Sequence, residues 1–137
     1  MASASPRREQ LLLQAGCDFR VVPSDFCENN SLDLPPDELA KLQAREKALT
    51  VARQQQPGEI VIGADTVVAL DGKVYGKPMD RADAMRMLSE LAGRTHVVYT
   101  GVAVVRGDAV HEAVAATRVT IRSLDSSEIE AYSATGE

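Results

Sequence analysis

The stretch "EIVIGADTVVALDGKVYGKP" limits this chain's folding options more than any other. Ile60, Val61 and Ile62 form a continuous apolar run, the pattern of a strand covered on both faces. Asp71–Gly72 is a strong two-residue hairpin signal, and "KVYGKP" then returns as a short strand and loop. A strand covered on both sides needs helices to cover it, and the rest of the chain supplies them.

Ser5 is a good N-cap and Pro6 fits the first helical position, so a helix starts in "SASPRREQLL" and closes at Gly16. "CDFRVV" alternates as a strand before the polar loop "SDFCENNSLDL". "PPDELAKLQAREKALTVARQQQ" carries a start signal and strong helix formers, ending near Pro57 and Gly58 as the longest helix. Asp80 caps a helix through "RADAMRMLSELAG", with Ala84, Met87, Leu88 and Leu91 on one stripe. "HVVYTGVAVVRGDAVHEAVAATRVTIRSL" gives two strands joined at Gly107–Asp108, and Asp125 caps "SSEIEAYSATG". No repeat, low-complexity tract or linker intervenes. Residues 1–137 therefore read as one α/β domain, a mixed twisted sheet with flanking helices.

Composition narrows the function. At 137 residues, 45% hydrophobic and 26% charged, the chain can bury a core, and no apolar run approaches the ~18 residues of a membrane span. A net charge of −5 argues against broad attraction to nucleic acid or anionic membrane. Aromatics at 4%, with no tryptophan, supply few stacking platforms for single strands. The start "MASASPRR" lacks a secretory apolar stretch, and Cys17 and Cys27 match no metal or redox spacing, which points to a reducing cytoplasm. Any anion bound here must meet a local cluster.

Arg7 and Arg8 put two positive charges where a helix terminus is already positive, a cost of ~0.3–1 kcal/mol per charge. They are either exposed arginines tolerating a poor field, or part of an anion site in which backbone N–H groups and the Ser3 or Ser5 hydroxyls hold phosphate oxygens. On the longest helix, Leu39, Leu42 and Leu49 form one face and Ala40, Ala44, Ala48 and Val51 a separate small-residue stripe. Lys47 falls inside that stripe, so it either snorkels over the alanines or aims its ammonium into a ligand cavity.

Asp65 follows the apolar run and is expected at the carboxyl end of an interior strand, where ligands of open α/β sheets gather. Gly63 lets a ligand or another backbone come close. Asp65 is either a turn-former or a partly desolvated carboxylate of raised pKa that accepts a proton from water or ligates a divalent metal. Glu28 is a second oxygen ligand for a hard cation such as Mg2+, or a solvated loop side chain. Lys77 by itself reads as a loop lysine. His96 and His111 read as structural or exposed.

"SASPRREQLL", "AREKA", "IGADTVVALDGKVYGKP", "LAGRTHVVYTGVAV" and "EIEAYSATGE", in this order and spacing, resemble the Maf family of nucleoside triphosphate pyrophosphatases. The resemblance implies a fold like that of inosine triphosphate pyrophosphatases and metal-dependent cleavage between the α- and β-phosphates with Mg2+ or Mn2+. It also implies a cytoplasmic location and often a homodimer. Carried onto this sequence, it implies that Ser3, Ser5, Arg7, Arg8, Lys47 and Lys77 meet nucleotide or phosphates, with Glu28 lining the same site. Asp65 matches the proton acceptor, and Arg7 and Thr66 resemble the branch acting on dTTP and UTP. The family's association with septum formation implies an alternative, a non-catalytic nucleotide-binding or regulatory module. The resemblance also implies a shortened domain: only Met1 and Ala2 stand before the serine-rich start, and a "DKAGAYGIQG"-like segment is expected beyond Glu137.

Overall fold

The computed structural model describes residues 1–2, 5–24, 26, 34–56, 58–75 and 79–134. In chain order they form α1 (Pro6–Gln14), α2 (Pro36–Ala52), β1 (Val61–Leu70), β2 (Lys73–Tyr75), α3 (Arg81–Leu91), β3 (Thr95–Arg106), β4 (Ala109–Thr120) and α4 (Ser126–Ala134). The four strands make one sheet in the order β2-β1-β3-β4, each neighbour antiparallel. This is the α/β class expected, with β1 in the interior.

Local chemistry sets the element ends. Gly16, at φ 77°, closes α1: its N–H donates to the Leu13 carbonyl and the Cys17 N–H to that of Leu12, a Schellman pair. The β1–β2 hairpin turns through Asp71 (φ 50°) and Gly72 (φ 78°), a pair of positive φ values that matches strand twist. Asp80 caps α3 by accepting from the Asp83 N–H at 2.8 Å, and Asp125 caps α4 by accepting from the Glu128 N–H at 2.8 Å.

One face of the sheet lies under α2. Alternation along the strands puts Gly63, Asp65 and Val67 of β1 on that face, beside their cross-strand partners Ala103, Gly101 and Tyr99 of β3. The main core gathers Ala44, Ala48 and Val51 of α2 with Val61, Ala103 and Val105, and a second cluster joins Leu39 and Ala40 to Val67. So the buried stripe of α2 is the small-residue one, with Leu39 and Gln43 added, while Leu42 and Leu49 are half-buried.

The reason is the closeness of the helix. A Cβ on Gly63 would strike the Ala44 carbonyl and come within 2.9 Å of the Ala48 side chain, and one on Gly101 would strike the Ala40 carbonyl. It is therefore the backbone of α2 that Gly63 admits. On the opposite face Leu70, Tyr75 and Leu91 form a third cluster with Val68, Met87 and Ile121.

Three expectations need correction. "CDFRVV" forms no ladder strand. Its described partner is Met1, whose amino group donates to the Arg20 carbonyl at 2.9 Å and whose carbonyl accepts from Val22 at 3.0 Å, the pattern of a parallel pair. The Ala2 N–H donates to the Ile62 carbonyl at 2.7 Å and ties this segment to β1, outside a four-stranded ladder that is antiparallel throughout. The apolar run is not covered throughout, because Ile60 precedes β1 and is 58% exposed. Asp65 sits mid-strand rather than at the carboxyl end, because pairing with β3 continues as far as Ala69.

Two stability outcomes follow. Gly63→Ala is expected to cost about 1–3 kcal/mol in urea unfolding, as overpacking against a helix backbone does; an unchanged midpoint would contradict the close seat of α2. His96 is buried, its Nδ1 has no partner among the described residues, and burial pushes its pKa below the ordinary value. The unfolded imidazole takes up a proton first, so this contribution to stability is complete above about pH 6.5 and is lost as pH falls below it. His96→Leu is expected to flatten the acid side of the stability–pH curve measured by denaturant titration.

Candidate active site

Side chains from β1 and α2 meet where the helix comes closest to the sheet. Asp65 is 4% exposed. Its Oδ1 accepts from the Lys47 ammonium at 3.0 Å, and its Oδ2 from the Gln43 amide at 3.0 Å. Gln43 and Lys47 are four residues apart, so they stack on one helix face and reach the same carboxylate.

The Lys47 side chain, 12% exposed, spans the gap to a carboxylate side chain 6% exposed. The alanines on either side of it allow this. Small neighbours bring the helix axis near the strand.

Immediately beside this pair along β1 is a second group. The Arg8 guanidinium donates to the Ala64 carbonyl at 3.2 Å and to Thr66 Oγ1 at 3.0 Å. Thr66 Oγ1 is also 3.2 Å from Thr100 Oγ1 on the paired strand. Asp65 and Thr66 are adjacent, so their side chains leave β1 on opposite faces, Asp65 under α2 and Thr66 exposed.

These contacts account for Arg8. It straps α1, a helix with no buried residue, to the strand that carries Asp65. Ser5 is the N-cap of α1, its carbonyl accepting from Glu9 at 3.1 Å, and Arg7 is exposed in the first turn. The structure therefore brings Lys47 to Asp65 and Arg8 to Thr66, while Ser5 and Arg7 stand at the start of the helix that Arg8 anchors. Ser3, Glu28 and Lys77 lie outside the described residues.

Sequence reading missed Gln43 and Thr100. Gln43 carries a signal in retrospect: it precedes Lys47 by one helical turn, next to the small-residue stripe. Thr100 had none of its own, and only the β1–β3 register places it opposite Thr66.

Among the described residues, no group of three or more His, Cys, Asp or Glu side chains is gathered to hold a metal ion. They form no all-protein cage, and Asp65 is the carboxylate they offer at this point. Two clefts of about 420 Å³ lie elsewhere, one between Met1, Phe19, Val51 and Ile60 and one between Tyr75, Glu90 and Arg94. No helix among the described residues is long and apolar enough to cross a membrane.

Chemically, the cluster couples a buried carboxylate to an ammonium and an amide, with a guanidinium one residue away. The charges compensate, as buried ions must, and removing one leaves the other stranded in low dielectric. Lys47→Met is expected to cost roughly 3 kcal/mol, near the lower end for a buried pair, with most of it regained in Lys47→Met/Asp65→Asn. Denaturant unfolding of the cycle checks this, and a cost below about 1 kcal/mol would place the pair among surface bridges.

The whole chain is similar to known proteins. The family model described as "Maf-like protein" matches residues 1–137. The dTTP/UTP pyrophosphatase of Gloeobacter violaceus is 48% identical over 137 residues, covering 100% of this chain and 72% of that protein. That of Pelotomaculum thermopropionicum is 47% identical, with 100% and 72% covered, and that of Acinetobacter baylyi 39%, with 100% and 74% covered. A crystal structure of the nucleoside-triphosphatase/dITP/XTP pyrophosphatase of Mycobacterium abscessus superposes with a TM-score of 0.45 at 19% identity, over 85% of this chain and 69% of that one.

Proposed function

The chain belongs to the Maf-like family, and on that footing we propose that it is a nucleoside triphosphate pyrophosphatase acting on dTTP, UTP or modified pyrimidine nucleotides. The products are the nucleoside monophosphate and pyrophosphate. Similarity to relatives bearing the dTTP/UTP pyrophosphatase name supports the substrate class and favours the enzyme over the septum-formation regulatory module. The single observation that carries the chemistry is the buried Asp65 carboxylate with the Lys47 ammonium at 3.0 Å.

In this reading Asp65 takes the proton of the attacking water as its oxygen bonds to the α-phosphorus. The bond from that phosphorus to the bridging oxygen breaks, and pyrophosphate leaves with the electron pair. Positive charge is needed where the phosphate chain gathers negative charge. Lys47 supplies it beside the reacting water, and Arg7, Arg8 and Lys77 supply it along the chain. Ser3 and Ser5 offer hydroxyls to phosphate oxygens, and Thr66 sits where the pyrimidine-directed branch is set.

A divalent cation, Mg2+ or Mn2+, belongs to the same proposal. Mg2+ is commonly held by one or two carboxylates together with substrate phosphates rather than by a protein cage, which suits a site offering Asp65, with Glu28 as the second carboxylate. Bound there, it would polarise the α-phosphoryl group. A cytoplasmic homodimer completes the proposal.

Pyrophosphate release from dTTP and UTP by the full-length protein with Mg2+ tests it. Asp65→Asn is expected to lower kcat at least about 100-fold, the scale of a lost general base. Wild-type turnover in that variant would contradict the role given to Asp65.

A further inference from the structure

Among the described residues Gln43 joins Lys47 as a polar group on Asp65. The side chain is 1% exposed, next to Leu39, Ala40 and Ala44 on the buried stripe of α2. Leucine or methionine would fill a comparable volume there without the desolvation that an amide suffers on burial. Among the described residues the amide Nε2 donates to Asp65 Oδ2 at 3.0 Å. Its orientation is fixed by chemistry, since the opposite amide orientation would set a carbonyl oxygen against a carboxylate oxygen.

We propose that Gln43 is a positioning residue for the hydrolysis: its amide sets the plane of the Asp65 carboxylate. This rests on Asp65 being the group that acts on the attacking water. Rotation about the last bond of an aspartate side chain is soft, with no sharp staggered minima. One donor leaves the plane free to turn about its own contact. Two donors, one on each oxygen, define it.

Lys47 is the weaker of the two as a guide. Its ammonium is a compact charge on a flexible four-carbon stem, with rotatable donors that follow whatever anion is near. A triphosphate is such an anion, and once Lys47 shares its charge with phosphate oxygens, the Gln43 bond keeps Oδ2 in place. Gln43 is suited to this because it carries no net charge to be drawn away and its side chain is 1% exposed on the buried stripe of α2.

The test uses Gln43→Met and Gln43→Leu in the full-length protein, alone and combined with Asp65→Asn, with UTP as substrate and thermal melts to confirm folding. Both single variants are expected to lower kcat about tenfold or more while KM changes less than about twofold, because Gln43 orients the base without touching the nucleotide. In the Asp65→Asn background the same substitutions are expected to have no further effect on kcat. An equal loss in both backgrounds, a loss confined to KM, or wild-type kcat in folded Gln43→Met would overturn the proposal for Gln43. Failure of the Asp65 reading is separate: it appears as turnover preserved in Asp65→Asn alone.

Discussion

The close seat of α2 against β1 and β3 organises this molecule. Two glycines, Gly63 and Gly101, remove the side chains that would otherwise hold the helix off, and the stripe of Ala40, Ala44 and Ala48 meets them from the other side. Neither set would suffice alone. Alanines facing ordinary strand residues would leave a helix at normal distance, and glycines facing leucines would leave a stacked but wider layer. With both, the helix backbone touches the sheet backbone, and side chains on the helix flank can bridge to a short strand residue. Asp65 is that residue, paired across the ladder with Gly101 itself.

Electrostatics then takes over from packing. A carboxylate 4% exposed is tolerable only if compensated, and α2 delivers an ammonium and an amide one turn apart to its two oxygens. The next residue along β1 points the other way, and Arg8 bonds its hydroxyl and the Ala64 carbonyl, so two cations hold the strand over the span Ala64–Thr66. The carbonyl of Ala64 and the hydroxyl of Thr66 receive the Arg8 guanidinium, and the helix gains an anchor that its unburied surface does not provide. Arg7 gains no comparable placement and is the arginine left facing solvent at that helix end.

Much of this was legible in the sequence, and the limits have physical causes. Turns and caps are written in single residues, so Gly16, Asp71–Gly72, Asp80 and Asp125 mark their positions plainly. Lys47 stood out because one charge breaks a stripe of small residues, and Asp65 because one acid follows an apolar run. Whether a strand ladder forms is different, because it depends on a partner elsewhere in the chain: "CDFRVV" alternates correctly, yet its strand-like backbone bonds among the described residues are the two to Met1. The position of Asp65 along β1 was misjudged for the same reason, since the length of the strand is set by pairing with β3. Gln43 was missed because glutamine is a common helix residue, and only contact with Asp65 distinguishes it.

The most direct measurement is a crystal structure of the full-length protein with a UTP analogue whose α–β bridging oxygen is replaced by an imido group. The account predicts the α-phosphorus within reach of a water on Asp65, phosphate oxygens on Lys47, and Gln43 still bonded to the carboxylate. An analogue seated in either of the two distant clefts, with the Lys47–Asp65 pair closed and no phosphate near it, would contradict it.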